Sequence, residues 1–579
     1  MSNQNQSWGI LPTQQDENNT RAHAVSDPAG YHAGIAGREL HWFDGNTQSW
    51  ISQTDTGEWT GWHDRNASSA HANASWQPWS HPLDDSLAPY YRWFVDGQTN
   101  ACFNLIDRHV LSGRGDQIAI IFEGDRWDPS KNDGRGGPVH EQRVTYRELL
   151  VEVALRTRVL KQADLSCGDR VALNLPNVLE QIFYILACQR LGVIYTPVFG
   201  GFSAKTLSDR IHDAGAKVVI TADGGYRNAE VVPYKSTYTD PALDNYIPRP
   251  AALEALSATL RTRLSSDVAE RLEAQVSEAI AGEITLERAD VMRELGLALE
   301  RERGTAPEVI AELRTTVASE LANVGHAVTH VIVIRYTGND IVEHARDSWS
   351  PDLVAQVETD LLADAGVADR AALYSLDDTA LWQAVGPHAA AVPVEANWPL
   401  FIIYTSGSTG KPKGVVHTHG GWLSGITHTL RTVFNANQDD CLYVIGDPGW
   451  ITGQSYLIAA PLAFGMSTMI AEGSPLFPHA GRFASIIERN NVTIFKAGST
   501  FLKAVMTDPA STQEMSRYDM SSLKVGTFCA EPVSPTVQQF AMDNICSHYI
   551  NSYWATEHGG IVFSCPWGDF KPLEADAKT

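Results

Sequence analysis

Leu400-Phe-Ile-Ile-Tyr404-Thr-Ser-Gly-Ser-Thr-Gly410-Lys-Pro-Lys-Gly414 decides how the rest of the chain is read. A short, largely apolar strand over 399–404 runs into six small residues with four hydroxyls and two glycines, and two lysines follow. Glycine lets a backbone approach a phosphate closely, and successive amides form a nest for an anion. Hydroxyls add donors, and the lysines add positive charge. By its chemistry the stretch is a phosphate cradle. It is not a Walker A loop, which places four residues between its first glycine and Gly-Lys-Ser/Thr. Here Gly407 and Gly410 are three apart, and Pro412 follows Lys411. A flexible Ser/Gly linker needs neither the apolar strand before it nor the Lys-Pro-Lys-Gly-Val-Val after it.

On both sides, apolar runs alternate with helical stretches. Strands are expected at 117–122, 170–175, 193–198 and 217–221, with helices over 145–162 and 180–191. Further strands are expected at 328–334, 442–446, 467–472, 493–497, 524–529 and 548–553. Such alternation argues for parallel sheets with helices on their faces. Between them, 250–324 turns rich in Ala, Leu, Glu and Arg. Leu253, Leu256, Leu260, Leu264, Val268, Leu272, Val276 and Ile280 form one helical stripe; Ile310, Leu313, Val317, Leu321 and Val324 form a second. Gly304 and Pro307 punctuate between the two. The spacing predicts a helical hairpin or small bundle inserted into an α/β body, either as a packed appendage or as a docking surface. Residues 352–381 also read as helical. The segment 31–94 holds Trp42, Trp50, Trp59, Trp62, Trp76, Trp79 and Trp93. Large aromatics there are expected to pin an extended segment onto the body; a sugar-binding or base-stacking surface fits the acidic charge less well.

Composition bounds the function. The 579 residues are 43% hydrophobic and 19% charged, as in globular proteins. Lys+Arg of 44 against Asp+Glu of 68 leaves −24, which argues against nucleic acid as a partner but leaves room for a local anion pocket. No apolar run reaches the roughly 18 residues of a membrane span. The first residues lack the basic start and apolar core of a secretory signal, so a cytoplasmic protein with no membrane partner is expected. Seven scattered cysteines without a CxxC read as free thiols rather than a disulfide framework or zinc site. Asn66-Ala-Ser68 and Asn73-Ala-Ser75 match the glycosylation pattern by chance.

Two further blocks share the chain with the 404–414 run: Asn551-Ser-Tyr-Trp-Ala-Thr-Glu557-His-Gly-Gly560 and Cys529-Ala-Glu-Pro532. Together they resemble the signatures of the adenylate-forming acyl-CoA synthetases. The stretches 91–104 (YRWFVDGQTNACFN), 198–203 (VFGGFS), 220–227 and 449–456 (GWITGQSY) are similar to acetyl- and propionyl-CoA synthetases in particular. The similarity runs over about 40–242 and 328–579. The helical block and the Trp-rich start look most like the ligase part of propionyl-CoA synthase. In that family one polypeptide joins a ligase, a dehydratase and an NADPH-dependent reductase.

The resemblance implies an α/β fold: the N-terminal domain of an adenylate-forming enzyme, with two parallel-sheet lobes, a small β-rich lobe and an inserted α-helical subdomain. The implied division is 1–95 as a wrapping Trp-rich segment, 96–247 as a first lobe, 248–327 as the insertion, 328–400 as the return to the core and 401–579 as the ATP-binding lobe. It also implies that a carboxylate, 3-hydroxypropionate favoured, reacts with ATP and then with CoA in the presence of Mg²⁺. NADPH would serve only a separate downstream domain. Homo-oligomerisation stays open. A stand-alone acetyl- or propionyl-CoA synthetase is the alternative within the family; an NTPase or a non-catalytic nucleotide-binding scaffold are alternatives outside it.

Site roles follow from the resemblance by motif position. Thr405, Ser406, Gly407, Ser408, Thr409, Gly410 and Lys411 would hold phosphates, with Thr405, Lys411 and Glu557 catalytic. Glu557 and Thr405 would hold the metal, and Thr556 a phosphate oxygen. Ala530, Glu531, Pro532, Asn551 and Tyr553 would frame adenine; Asn551 stands where acetyl-CoA synthetases carry Asp. Trp554 would close the acyl pocket, with Ile451 and Thr452 lining it and Ala555 widening it slightly in place of Gln. Gly201 and Arg227 would meet CoA, with Glu230 where the family carries a second Arg. In the family a ribose-binding Asp, a hinge and a small C-terminal domain with the adenylation lysine come later than Thr579. The chain is therefore expected to be part of a longer polypeptide.

Overall fold

Two parallel sheets carry the architecture, and their central strands have no polar face. Every residue of Val218–Ala222, Cys441–Val444 and Val525–Cys529 is buried, as strands covered on both sides by helices require. The computed structural model describes residues 11–566, apart from 12, 65, 74, 303–305 and 406–411.

The first sheet has eight strands. Ile118–Glu123, Ser467–Ala471, Cys441–Val444, Ile494–Gly498, Val525–Cys529 and Tyr549–Tyr553 run parallel, and Glu141–Thr145 and Phe563–Ser564 close the edges antiparallel. The second has seven. Asp347–Trp349, His330–Ile334, Val218–Ala222, Arg170–Asn174, Ile194–Pro197 and Pro399–Thr405 are parallel, with Lys413–Thr418 antiparallel at the edge. Sequence order puts 118–122 in a first lobe, yet Ile118–Glu123 completes the sheet built by residues after 440. Likewise Lys413–Thr418 belongs to the sheet of the earlier strands.

The helices start and stop where the side chains dictate. Thr145 and Glu148 form a capping box for Tyr146–Gln162. Leu179–Leu191 ends at Gly192 in the left-handed region. The expected stretch 352–381 is three helices, Ser350–Ala365, Arg370–Tyr374 and Asp378–Ala389. Gly366, at φ +66°, ends the first, and Asp369 and Asp377 cap the next two.

The Trp-rich segment is not extended. Trp42–Asp44, Ser49–Gln53, Trp59–His63 and Ser69–His71 form a four-stranded antiparallel sheet. Trp42 packs edge-on against Trp79, and Trp50 stacks on Phe103 at 4.2 Å. The aromatics build a small core that continues into the main one.

The insertion is four helices, Arg249–Arg263, Ser266–Ala279, Arg288–Arg301 and Pro307–Ala322, with its own apolar core. The single stripe 253–280 is broken: Leu264 is extended at φ −125° and ψ 163°, and Ser265 starts a new helix. A two-stranded ribbon, Tyr246–Pro248 with Thr285–Glu287, ties it to the body. Arg288 donates to the carbonyls of Asp244, Leu321 and Val324, so one guanidinium clips the entry to the exit.

A buried cation organises one edge at which the two sheets meet. Arg482 has no exposed surface and bonds Glu123 at 3.1 Å, Asp125 at 3.4 Å and the carbonyls of Gly124, Glu472 and Ser474 at 3.0–3.1 Å. Asp125 then accepts Ala229 N at 2.6 Å, and the Glu472 carboxylate accepts Tyr226 N and Tyr336 OH, both at 2.7 Å. Tyr226 and Tyr336 belong to segments that leave the seven-stranded sheet. Replacing Arg482 with Met strands buried carboxylates, so the variant should lose about 3–5 kcal/mol of unfolding free energy in chemical denaturation.

Candidate active site

Parallel strands leave loops at their carboxyl ends, where ligands bind in open α/β sheets. The blocks singled out by sequence collect there. Pro399–Thr405 and Lys413–Thr418 form a hairpin in which Thr405 pairs with Lys413. Ser406, Gly407, Ser408, Thr409, Gly410 and Lys411 lie outside the described residues. Thr405 is partly exposed and Lys413 exposed.

The same hairpin grips the 551–560 block. His417 Nε2 donates to the carbonyl of Thr556 at 2.9 Å. Burial lowers the His417 pKa to about 4, so the ring is neutral at pH 7; a carbonyl only accepts, which puts the proton on Nε2. Gly559 follows at φ +72°, where a Cβ would meet Trp422 at 2.6 Å and His417 at 2.8 Å. Its carbonyl accepts Ser455 Oγ at 2.6 Å and Trp422 Nε1 at 3.2 Å, and Ile561 N bonds Tyr456 OH. Glu557 projects into solvent beside these anchored residues. Tyr553 is 56% exposed, a ring face left open on the next strand. Asn551, paired in register with Phe528, is partly exposed. The turn at Ala530, Glu531 and Pro532 leaves that neighbouring strand and is exposed, with Glu531 bridged to Lys503 at 3.1 Å. Ala530 sits at φ +82°, a left-handed position that costs an alanine about 1 kcal/mol.

The proposed acyl residues lie one strand over. Ile451 is buried, and Thr452 packs within reach of Gly446, just past the end of Cys441–Val444. Trp554 meets Tyr456 edge-on at 5.2 Å. Beneath both rings stands Lys496, which sequence reasoning missed. The available signal was a charge inside the apolar run Ile494-Phe-Lys-Ala.

The residues expected to meet CoA occupy two neighbouring loops. Gly201 lies in the 198–203 loop beside Phe199. Phe199 and Phe202 meet Trp450 at 5.9 and 5.5 Å, joining that loop to 449–456. Arg227 is exposed in a hairpin and pairs in register with Glu230, so the two opposite charges face each other across it. Tyr234 lies close to both Gly200 and Gly225 and links the loops. A buried carboxylate, Asp447, accepts Gly449 N at 2.6 Å in the 446–456 loop, and burial raises its pKa to about 7. Away from this edge, Asp240, Asp244 and His344 gather as metal ligands do, but Lys235 and Arg346 already neutralise them.

Comparison with known proteins places these residues in context. A family model described as AMP-binding enzyme matches residues 108–578, and one described as acetyl-coenzyme A synthetase N-terminus matches 67–105. The chain is 32% identical over 505 residues to an acetyl-coenzyme A synthetase of Herminiimonas arsenicoxydans, covering 86% of this chain and 58% of that protein. It is 33% identical over 513 residues to one of Methylobacillus flagellatus, covering 87% and 60%. A third, of Rhodopirellula baltica, is 30% identical over 493 residues, covering 84% and 55%. The chain thus spans under two thirds of the length of these curated relatives.

Two stability outcomes follow. Ala530→Gly relieves the left-handed strain and should raise unfolding free energy by about 0.5–1 kcal/mol in urea titration. A raised carboxyl pKa stabilises the fold below its unfolded value near 4 and loses that contribution as pH rises to about 7. Asp447→Asn should therefore flatten the decline of stability between pH 4 and 7, by about 1–3 kcal/mol relative to the parent, read from denaturation midpoints at both ends.

Proposed function

The chain belongs to the AMP-binding enzyme family, and from that membership we propose that it activates a short-chain carboxylate with ATP and transfers it to coenzyme A. The acid is 3-hydroxypropionate, and the chain is the ligase part of a propionyl-CoA synthase. What carries the reading is the contact of His417 with Thr556. It holds the hairpin around the phosphate loop against the block that ends in Glu557. Support for the synthase reading comes from the helical insertion and the Trp-rich start.

In the first step a carboxylate oxygen attacks the α-phosphorus of ATP and pyrophosphate leaves. In the second the CoA thiol attacks the acyl carbon and AMP leaves. The first step demands neutralised phosphate charge and a fixed line of attack more than covalent help. Thr405 and residues 406–411 hold the phosphates, with Lys411 supplying charge. Thr556 orients a phosphate oxygen; Asn551, Tyr553 and the turn at 530–532 frame adenine. Glu557 and Thr405 suit Mg²⁺: both reach solvent, and Glu557 forms no ion pair among the described residues. Bound Mg²⁺ would offset phosphate charge, and it needs few carboxylates besides phosphate oxygens and water. Trp554, Ile451 and Thr452 limit the acyl chain, and Gly201 and Arg227 meet CoA. The names of the relatives favour acetate as the rival acid.

ATP–pyrophosphate exchange by the full-length polypeptide tests the reading, with 3-hydroxypropionate, propionate, acrylate and acetate compared. The expected result is exchange strongest with 3-hydroxypropionate. A maximum with acetate moves the enzyme to the simpler synthetases, and no exchange with any acid overturns the activity. Glu557→Gln should lower exchange about 100-fold or more with an unchanged melting temperature. Trp554→Gly should shift the preference towards longer acids by about tenfold per added methylene or two.

A further inference from the structure

Two lysines among the described residues have no exposed surface, Lys235 and Lys496. Their surroundings differ. Lys235 is neutralised by Asp240 and Asp347, each at 2.8 Å, and donates to the Val342 carbonyl. Lys496 has no carboxylate partner among the described residues. Its Nζ donates to Ser552 Oγ at 2.7 Å. The rings of Tyr456 and Trp554 lie 5.2 and 5.4 Å away, and the Cys529 thiol is a further polar neighbour among the described residues. Ser552 is itself committed: it accepts the Thr527 hydroxyl at 2.9 Å and donates to the Phe528 carbonyl at 3.0 Å.

An ammonium carries three donors, and a buried charge needs acceptors to offset lost hydration. Ring faces supply part of that. The described residues supply no further strong acceptor, and the position of the ammonium is informative. Lys496 pairs in register with Val444, and Thr452 packs at Gly446 just beyond it. Trp554 stands over the ammonium, and Cys529 ends the adjacent strand. The charge thus lies among the residues that the proposed activity gives to the acyl group.

We propose that Lys496 is a specificity-determining residue whose ammonium binds an acceptor oxygen on the chain of the acid, so that the site selects short hydroxy acids over plain alkanoates. This rests on the adenylating activity proposed above and names the group that chooses its substrate. A hydroxyl oxygen on the acid supplies the further acceptor that the described residues do not. A plain alkanoate buries the same charge against methyl groups, which costs it affinity.

Lys496→Met and Lys496→Gln keep the length of the side chain and remove its charge. In ATP–pyrophosphate exchange with the full-length protein, kcat/KM for 3-hydroxypropionate should fall about tenfold or more in Lys496→Met. The value for propionate should rise, because the charge that costs it affinity is gone, with Lys496→Gln between parent and Met. Equal losses on both acids, or no loss on either, overturn the inference while leaving the activity standing. Absence of exchange in the parent with every acid overturns the activity and the inference with it. The parent protein gives a second reading that needs no variant. Burial lowers the Lys496 pKa, and the groups facing it, Ser552, Thr527, Cys529, Tyr456 and Trp554, include no carboxylate. The ratio of kcat/KM for 3-hydroxypropionate over propionate should therefore fall as pH rises from 7 to 10; a level ratio overturns the assignment.

Discussion

The geometry of the molecule hangs on the Arg482 guanidinium. Each of its N–H groups meets an acceptor at the carboxyl ends of Ile118–Glu123 and Ser467–Ala471. A planar fork that cannot lose its proton is suited to hold several acceptors at fixed angles. Asp125 and Glu472 extend this grip to Tyr226, Ala229 and Tyr336, which lie in the segments that follow strands of the other sheet. Strands of both sheets share one apolar core, and these hydrogen bonds add a directional constraint at the edge where their loops meet.

The same edge explains how separate motifs become one site. Strand ends bring 198–203, 446–456, 530–532 and 551–560 to one side, and specific side chains lock them. Tyr195 OH donates to Gln454 at 2.7 Å, tying the floor of one sheet to the segment Gly453–Ala459 above the other. His417 fastens the hairpin of Pro399–Thr405 and Lys413–Thr418 to Thr556. The side chains that do this are buried and apolar or neutral, while Glu557, Tyr553 and Arg227 remain open to solvent. Rigid anchors with exposed tips are what a site needs for ligands much larger than its own side chains.

Much of this was legible in the residues. Strands such as Val218–Ala222 and Val525–Cys529 are continuous apolar runs, and a strand covered on both faces leaves no other pattern. The glycines and hydroxyls of 405–410 are what suggest phosphate chemistry there. What stayed hidden depends on distant partners. Ile118–Glu123 reads as an early strand, and only packing sends it to Met469 and Ile470. The break at Leu264 and Ser265 carries no glycine or proline, because the turn is set by helices packing on each other. The tryptophans read as clamps for an extended segment, since aromatic content does not reveal strand pairing. His417 and Lys496 matter through what they touch, and no spacing displays that.

Arg288 closes the insertion at its neck, and this bears on how the chain reaches its native state. Val218–Ala222 and His330–Ile334 are hydrogen-bonded neighbours, although about a hundred residues separate them. Joining the ends of so long a flexible segment is entropically unfavourable and slow. The helices between them have a private core and local contacts, so they can condense first. Once Arg288 links Asp244 to Leu321 and Val324, the excursion behaves as a much shorter connection. A locally condensed insertion would shorten the search by which Val218–Ala222 finds His330–Ile334.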